Sequence, residues 1–385
     1  MITAKRLAQV GEYYFSAKLK EVRALAASGK PIINMGIGSP DLLPPDTATK
    51  ALVQALGDAN AHQYQSYQGL PELRKEMQLF YQKHFGVALN ADNEILPLMG
   101  SKEGILHISM AFLNEGDRVL IPNPGYPTYA SAAQLAGGEP VFYDLTEEQN
   151  WEPDFEFLAT LDLTKVKLMW VNYPHMPTGA SGSLALFEKL VAFAREHKIL
   201  LVNDNPYSFI LNDRPISILQ VEGALDVAIE LNSLSKTFSI PGWRVGMVLG
   251  NQFLLDAILK VKSNMDSGMF YGIQKGAIAA LQSQSDWFDN QNGIYAKRRE
   301  LLFELAQILG CTFDRNAVGL FVWAKLPRQI ISSEKFIDDI LYNHSIFITP
   351  GTIFGTNGEG YIRFSLCVPA SQIRDAIERL KKHQP

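Results

Sequence analysis

The chain has 385 residues, of which 47% are hydrophobic and 19% charged, with a formal net charge of −5. That length suits about two domains at the usual ~100–200 residues each, and the acidic balance argues against nucleic acid as a partner. No apolar run approaches the ~18 residues that a bilayer span requires, so no membrane partner is expected.

The opening stretch, "MITAKRLAQVGEYYF", has no apolar segment before a small-residue cleavage site, and no signal peptide is expected. "PIINMGIGSPDLLPPD" is too rich in glycine and proline for a long regular element. From Glu94 the text alternates. "EILPLMG" reads as a strand, "SKEGILHISMAFLNEG" as a helix, "DRVLIP" as a strand, "PTYASAAQLAGG" as a helix and "PVFYDL" as a strand. "KLMWVNYP", "ILLVND", "VAIELNS" and "VGMVLG" read as further strands, with the helix "SLALFEKLVAFAREHK" after the first. Apolar strands alternating with amphipathic helices predict a mostly parallel α/β sheet with helices on both faces. After a long helix around "DNQNGIYAKRRELLFELAQILG", the pattern turns α+β: strand "GLFVWAKL", helix "EKFIDDILYN", strands "IFITPG" and "YIRFSL", helix "ASQIRDAIERLKKH". A second, smaller domain is expected to begin near residue 287. Only Cys311 and Cys367 are present, which argues against a disulfide framework and makes a reducing cytoplasm the default location.

Ligands of parallel α/β sheets sit beyond the carboxyl ends of the strands, so the residues that follow each strand are the candidates. Gly100-Ser101-Lys102 opens a helix, where free N–H groups suit an anion, although alone it reads as a plain serine cap. Gly36 and Gly38 lack the third glycine of a dinucleotide fingerprint, and neither a nucleoside-triphosphate loop nor zinc-type Cys/His spacing is present. No metal is expected. Asp204 ends an apolar strand and needs a cationic partner, with Tyr207 three residues on. "SLSKTFSIPGWRVG" crowds Ser233, Ser235, Lys236 and Arg244 into one connection. A lysine near cations in a cleft has a lowered pKa suited to Schiff-base chemistry, and the hydroxyls and arginine suit a phosphate. Each stretch alone also reads as an ordinary loop. Together, anion donors, an aspartate, a tyrosine, a lysine and an arginine at successive strand ends converge on pyridoxal 5'-phosphate.

With these motifs in view, the sequence resembles the class I/II aminotransferases of fold type I. The likeness runs from "GIGSPDLLPP" through "SYQGLPELR", "GSKEG", "NPGYPTY", "NYPHMPTG", "NDNPY" and "SLSKTFSIPGWRVG" to "YIRFSL". It implies an arm at 1–42 that joins the small domain, a large cofactor domain at 43–286 and a small domain at 287–385. It implies a mixed sheet with one antiparallel strand, and transfer of an amino group between an L-amino acid and a 2-oxo acid by a ping-pong route. Lys236 matches the lysine that forms the internal aldimine and then shuttles the Cα proton. Asp204 matches the partner of the pyridinium nitrogen, Tyr207 the donor to the ring's phenolate oxygen, and Tyr126 the aromatic stacked on the ring. Ser101, Lys102, Ser233, Ser235 and Arg244 match phosphate positions. Tyr64 matches a tyrosine that reaches the phosphate of the neighbouring subunit, which implies a homodimer. Arg363 matches the fork that grips the substrate α-carboxylate, helped by the Gly38 backbone and Asn172. The family usually has asparagine before Pro-Thr-Gly, donating to the phenolate oxygen; here Met176, preceded by His175, stands there, and a thioether cannot donate. The same scaffold also carries β-lyases and decarboxylases, or serves as a non-catalytic regulatory domain. "KSNMDSGMF", residues 262–270, is similar to a stretch of diaminopimelate-type and related aminotransferases, and reads equally as a plain loop.

Overall fold

The computed structural model describes residues 3–9 and 14–382. Residues 1–2, 10–13 and 383–385, which include parts of the opening stretch and the end of the last expected helix, lie outside the described residues. The first strand, β1 (Ile33–Asn34), lies within the glycine- and proline-rich segment. Seven strands then build one large sheet: β2 (Ile95–Leu98), β3 (Arg118–Asn123), β4 (Glu139–Asp144), β5 (Val166–Val171), β6 (Leu200–Asp204), β7 (Ala228–Ser233) and β8 (Gly246–Leu249). Their order is β2-β8-β7-β6-β5-β3-β4. All run one way except β8, which is antiparallel to both β2 and β7.

Both faces of this sheet are covered over its inner strands, while the edge strand β4 is largely exposed, and period-two alternation divides the inner side chains between the two faces. Leu168 and Trp170 join Val202, Ile229 and Val248 against the helices Ser101–Phe112 and Gln252–Lys262. Met169 and Val171 face the other way, with Leu201 and Met247, toward the helix Leu184–His197. That helix follows the expected span closely, opened by a Ser183 side-chain cap and closed by Lys198 in the left-handed region.

Five short strands complete the chain: β9 (Thr312–Phe313), β10 (Phe321–Lys325), β11 (Ile346–Phe347), β12 (Thr349–Pro350) and β13 (Tyr361–Ser365). The stretch expected as one strand, "IFITPG", divides: β11 pairs in parallel with β1, while β12 joins the antiparallel sheet β12-β13-β10-β9. The segment around residues 33–41 is thus built into the C-terminal layer. Met35 exchanges backbone hydrogen bonds of 2.8 Å with Phe347 and Ser365. Asp41 receives both ends of the Arg298 guanidinium, at 2.6 and 2.8 Å. Arg298 is buried and also donates to the Leu366 carbonyl. Removing one partner of a buried pair leaves the other charge uncompensated, which destabilises by roughly 3–5 kcal/mol. Asp41→Ala is therefore expected to lower the unfolding free energy by about 3 kcal/mol, the low end because Asp41 is partly exposed. Urea unfolding measures it; a change under about 1 kcal/mol would show that the pair only decorates the surface.

Candidate active site

The reversal of β8 brings the phosphate candidates together. Gly246, its first residue, pairs with Leu98 on one side and Ser233 on the other. The residues just beyond those positions, Gly100-Ser101 and Ser235, and just before Gly246, Arg244, therefore meet at one edge. Gly100 has φ +89, and a Cβ on it would come 2.0 Å from Arg244 Nη2, so the guanidinium lies directly over a backbone that only glycine allows. Ser101 heads a helix of 12 residues whose first N–H groups face this edge. The connection expected as a simple loop holds a helical turn, Leu234–Thr237, and a 3-10 turn, Pro241–Trp243. Ser233 Oγ accepts the Ser235 N–H at 3.2 Å, while Ser235 Oγ is buried without a hydrogen-bond partner.

A cleft of about 460 Å³ opens over this edge. Ser101, Lys102, Ser233, Ser235 and Arg244 line it, with Asp204, Tyr207, Tyr126 and Asn172 and with Lys236, Gly38 and Arg363. Asp204 is fully buried, and desolvation pushes its carboxyl up to about 7, against a stabilising hydrogen bond from the Tyr129 hydroxyl and with the Glu230 carboxylate pushing the same way. That hydroxyl donates to Oδ2 at 2.9 Å, and Oδ1 has no hydrogen-bond partner. Tyr129 in turn stacks on Trp170, with centroids 4.8 Å apart. Burial holds the Tyr207 phenol well above its usual range, so it is a donor at neutral pH.

Lys236 extends from the helical turn and donates to the Gly38 carbonyl at 2.6 Å. Burial lowers its pKa to about 8; the nearby Arg363 and Arg244 charges add to that, and Cys367 opposes it. Arg363, on β13, donates through Nη2 to the Gly36 carbonyl at 2.9 Å. A Cβ on Gly38 would meet Phe321 Cζ at 2.4 Å, so this glycine permits the close approach of the segment to the cleft floor.

Three candidates behave differently from their neighbours. The Asn172 amide donates to the Asp204 carbonyl and accepts the Met176 N–H at 2.8 Å, so two of its bonds hold backbone. His175 does not swing toward the cleft: it is buried and neutral, its pKa lowered to about 3 by desolvation, and its Nδ1 is bonded to the Thr178 hydroxyl at 2.8 Å. Tyr64 is 90% exposed and does not line the cleft. The structure also adds residues that the sequence did not single out. Tyr129 sits in "NPGYPTY" as a second aromatic with nothing to mark it as the partner of Asp204. Phe321 reads as an ordinary strand residue, and Ile353 and Phe354 belong to a short turn. Only pairing of β10 with β13 puts Phe321 in reach of Arg363.

Fold and site together define an α/β enzyme organised around a buried lysine amine, a buried aspartate and an anion edge. The family described as aminotransferase class I and II matches residues 30–380. The LL-diaminopimelate aminotransferase of Dehalococcoides mccartyi strain BAV1 is 42% identical over 99% of this chain and 98% of its own, and that of Aquifex aeolicus is 39% identical over 98% and 97%. The apo structure of BacF from Bacillus subtilis superimposes with a TM-score of 0.95 at 34% identity, covering 100% of this chain and 99% of its own. A mutant aspartate aminotransferase of Thermus thermophilus, 24% identical with a TM-score of 0.92 over 99% of both chains, shares the fold. The chain belongs to the class I and II aminotransferases. It is a transaminase, and members of this family use pyridoxal phosphate.

Asp204 and Lys236 have opposite signatures. A carboxyl raised from 3.8 to about 7 binds more protons folded than unfolded between those values, so its contribution to stability fades as pH rises through that window. Asp204→Asn removes a charge that has no place in the cofactor-free protein above pH 7, and it is expected to raise the melting temperature of that form at pH 8 more than at pH 5. An equal shift at both values would contradict the raised pKa. For Lys236, acylation of the amine followed by mass spectrometry is expected to show a midpoint near pH 8; a midpoint near 10 would show an ordinary solvated lysine.

Proposed function

We propose that the cleft holds pyridoxal 5'-phosphate with its phosphate at Ser101, Lys102, Ser233, Ser235 and Arg244 and its ring nitrogen at Asp204. The observation that carries this reading is a buried lysine amine sharing one cleft with a buried aspartate whose Oδ1 lacks a hydrogen-bond partner. The unpartnered Ser235 Oγ fits the other end of the same group. When bound, the cofactor supplies an aldehyde and an electron-withdrawing ring that makes the substrate Cα proton acidic.

The side chains then divide the work. With its pKa near 8, about a tenth of Lys236 is neutral at pH 7, so it takes and returns the Cα proton near physiological pH. Gly38 holds the amine while it is charged. Asp204 would hold a proton on the ring nitrogen, since a cation beside it favours its ionised form. Tyr207 would donate to the ring oxygen, and Tyr126 would cover the ring face. Arg363 grips the α-carboxylate, with Asn172 and the Gly38 backbone beside it. Amino acid and 2-oxo acid use the same contacts in turn.

The exposed Tyr64 is consistent with a homodimer in which it reaches the partner's phosphate site. A large domain at 43–286, with the arm 1–42 joining a small domain at 287–385, belongs to the same reading, as does a cytoplasmic location. Among the described residues, no helix is long and apolar enough to cross a membrane. The relatives' activity puts LL-diaminopimelate first among donors to test. Residues 262–270 contain no arginine, and Lys262 in that stretch is buried against Asp266 at 2.7 Å. A distal carboxylate of the donor must therefore find its partner elsewhere.

Lys236→Ala is expected to lower turnover at least 1,000-fold, about 4 kcal/mol of barrier, while the phosphate contacts retain cofactor, read from its fluorescence on the purified protein. Turnover within tenfold of the parent would refute the role of Lys236. Arg363→Lys keeps the charge and loses the fork, and should raise KM for amino and oxo acids together by about tenfold or more. A rise for only one of them would mean that Arg363 reads a side chain.

A further inference from the structure

The Arg363 guanidinium lies over two aromatic rings, its central carbon 3.9 Å from the Phe321 centroid and 4.5 Å from that of Phe354. The π-faces hold it flat and restrict it to in-plane partners. One edge is engaged with the Gly36 carbonyl through Nη2. At the other edge, Nη1 lies 3.3 Å from the sulfur of Met176. Both residues are only 6% exposed, and both line the cleft. Met176 is itself fixed, because its N–H donates to Asn172 Oδ1.

We propose that Met176 sets the affinity of the site for carboxylates: its thioether is a weak, neutral acceptor that occupies the Nη1 edge of Arg363 in the resting site and yields that edge to a substrate oxygen. This rests on the reading of Arg363 as the α-carboxylate contact. A buried guanidinium edge needs an acceptor, but a strong one competes with the substrate. A thioether accepts poorly, whereas a carboxylate forms a charge-assisted bond. Sulfur therefore gives way when the amino acid binds and returns to Nη1 when the oxo acid leaves. The same substitution that removes the family's usual amide donor thus supplies an acceptor that is easily displaced. Met176 is a positioning residue in this account, because it acts through Arg363.

The test compares the holoenzyme carrying Met176→Gln, Met176→Leu and Arg363→Lys with the parent, using LL-diaminopimelate or, if another amino acid in a donor panel is faster, that donor. Glutamine has methionine's length but carries a strong acceptor. It should raise KM for the donor and for its paired oxo acid by about tenfold, equivalent to about 1.4 kcal/mol, with kcat within about threefold. Leucine has no acceptor and should lower both KM values about two- to fivefold. A shared rise in KM for glutamine and leucine, or a fall in kcat without a change in KM, overturns the proposal in favour of simple packing. Should Met176→Gln fail to fold, Met176→Leu decides alone, since a raised KM there contradicts competition. If Arg363→Lys leaves both KM values unchanged, the reading of Arg363 fails instead.

Discussion

The site depends on one reversed strand. The other six strands of the large sheet end at the same edge, and a seventh running with them would have begun at the opposite edge. Because β8 runs against β2 and β7, its first residue lies in register with Leu98 and Ser233. The chain entering β8 therefore delivers Arg244 to the place where the helix beginning at Ser101 presents its N–H groups. The glycine at position 100 admits the guanidinium. An anion edge made this way needs little side-chain reach, because register fixes it.

Above that edge the protein maintains three charged groups in unfavourable surroundings. Asp204 and Lys236 are shifted toward their neutral forms by burial, and Arg363, which stays charged, is held by aromatic faces and a carbonyl. A cofactor carrying a phosphate, a ring cation and an aldehyde would relieve the first two, and a substrate carboxylate would complete the third. The electrostatic strain of the resting cleft and its affinity for ligands are two aspects of the same arrangement.

Much of this was legible in the sequence, because long apolar runs mark strands and the residues after them mark strand ends. Asp204, Lys236 and Ser101 were found in that way. The direction of β8 was not visible in its own residues, since "VGMVLG" reads the same in either orientation; the family resemblance alone implied an antiparallel strand. The supporting aromatics were hidden for a different reason. Phe321 and Phe354 come from separate elements that meet only after β10 and β13 pair, and their spacing carries no period. "IFITPG" read as one strand because six extended residues do not reveal that two sheets share them. Nothing in the sequence showed that His175, beside Met176, is held in its loop by a hydroxyl partner three residues on.

The pairing of β1 with β11 has a consequence for how the protein is made. Residues 33–41 precede every strand of the large sheet in the chain, yet their partners, Phe347, Ser365 and Arg363, come after all of them. The carbonyls of Gly36 and Gly38, which accept from Arg363 and Lys236 in the cleft, have no fixed position until then. The large sheet can form from βα units close together in the chain, whereas residues 33–41 can bury their apolar side chains only when the later strands β11 and β13 are present. The cleft is thus completed only after β13 has been made, so the large sheet must wait for a later part of the chain before its site can work.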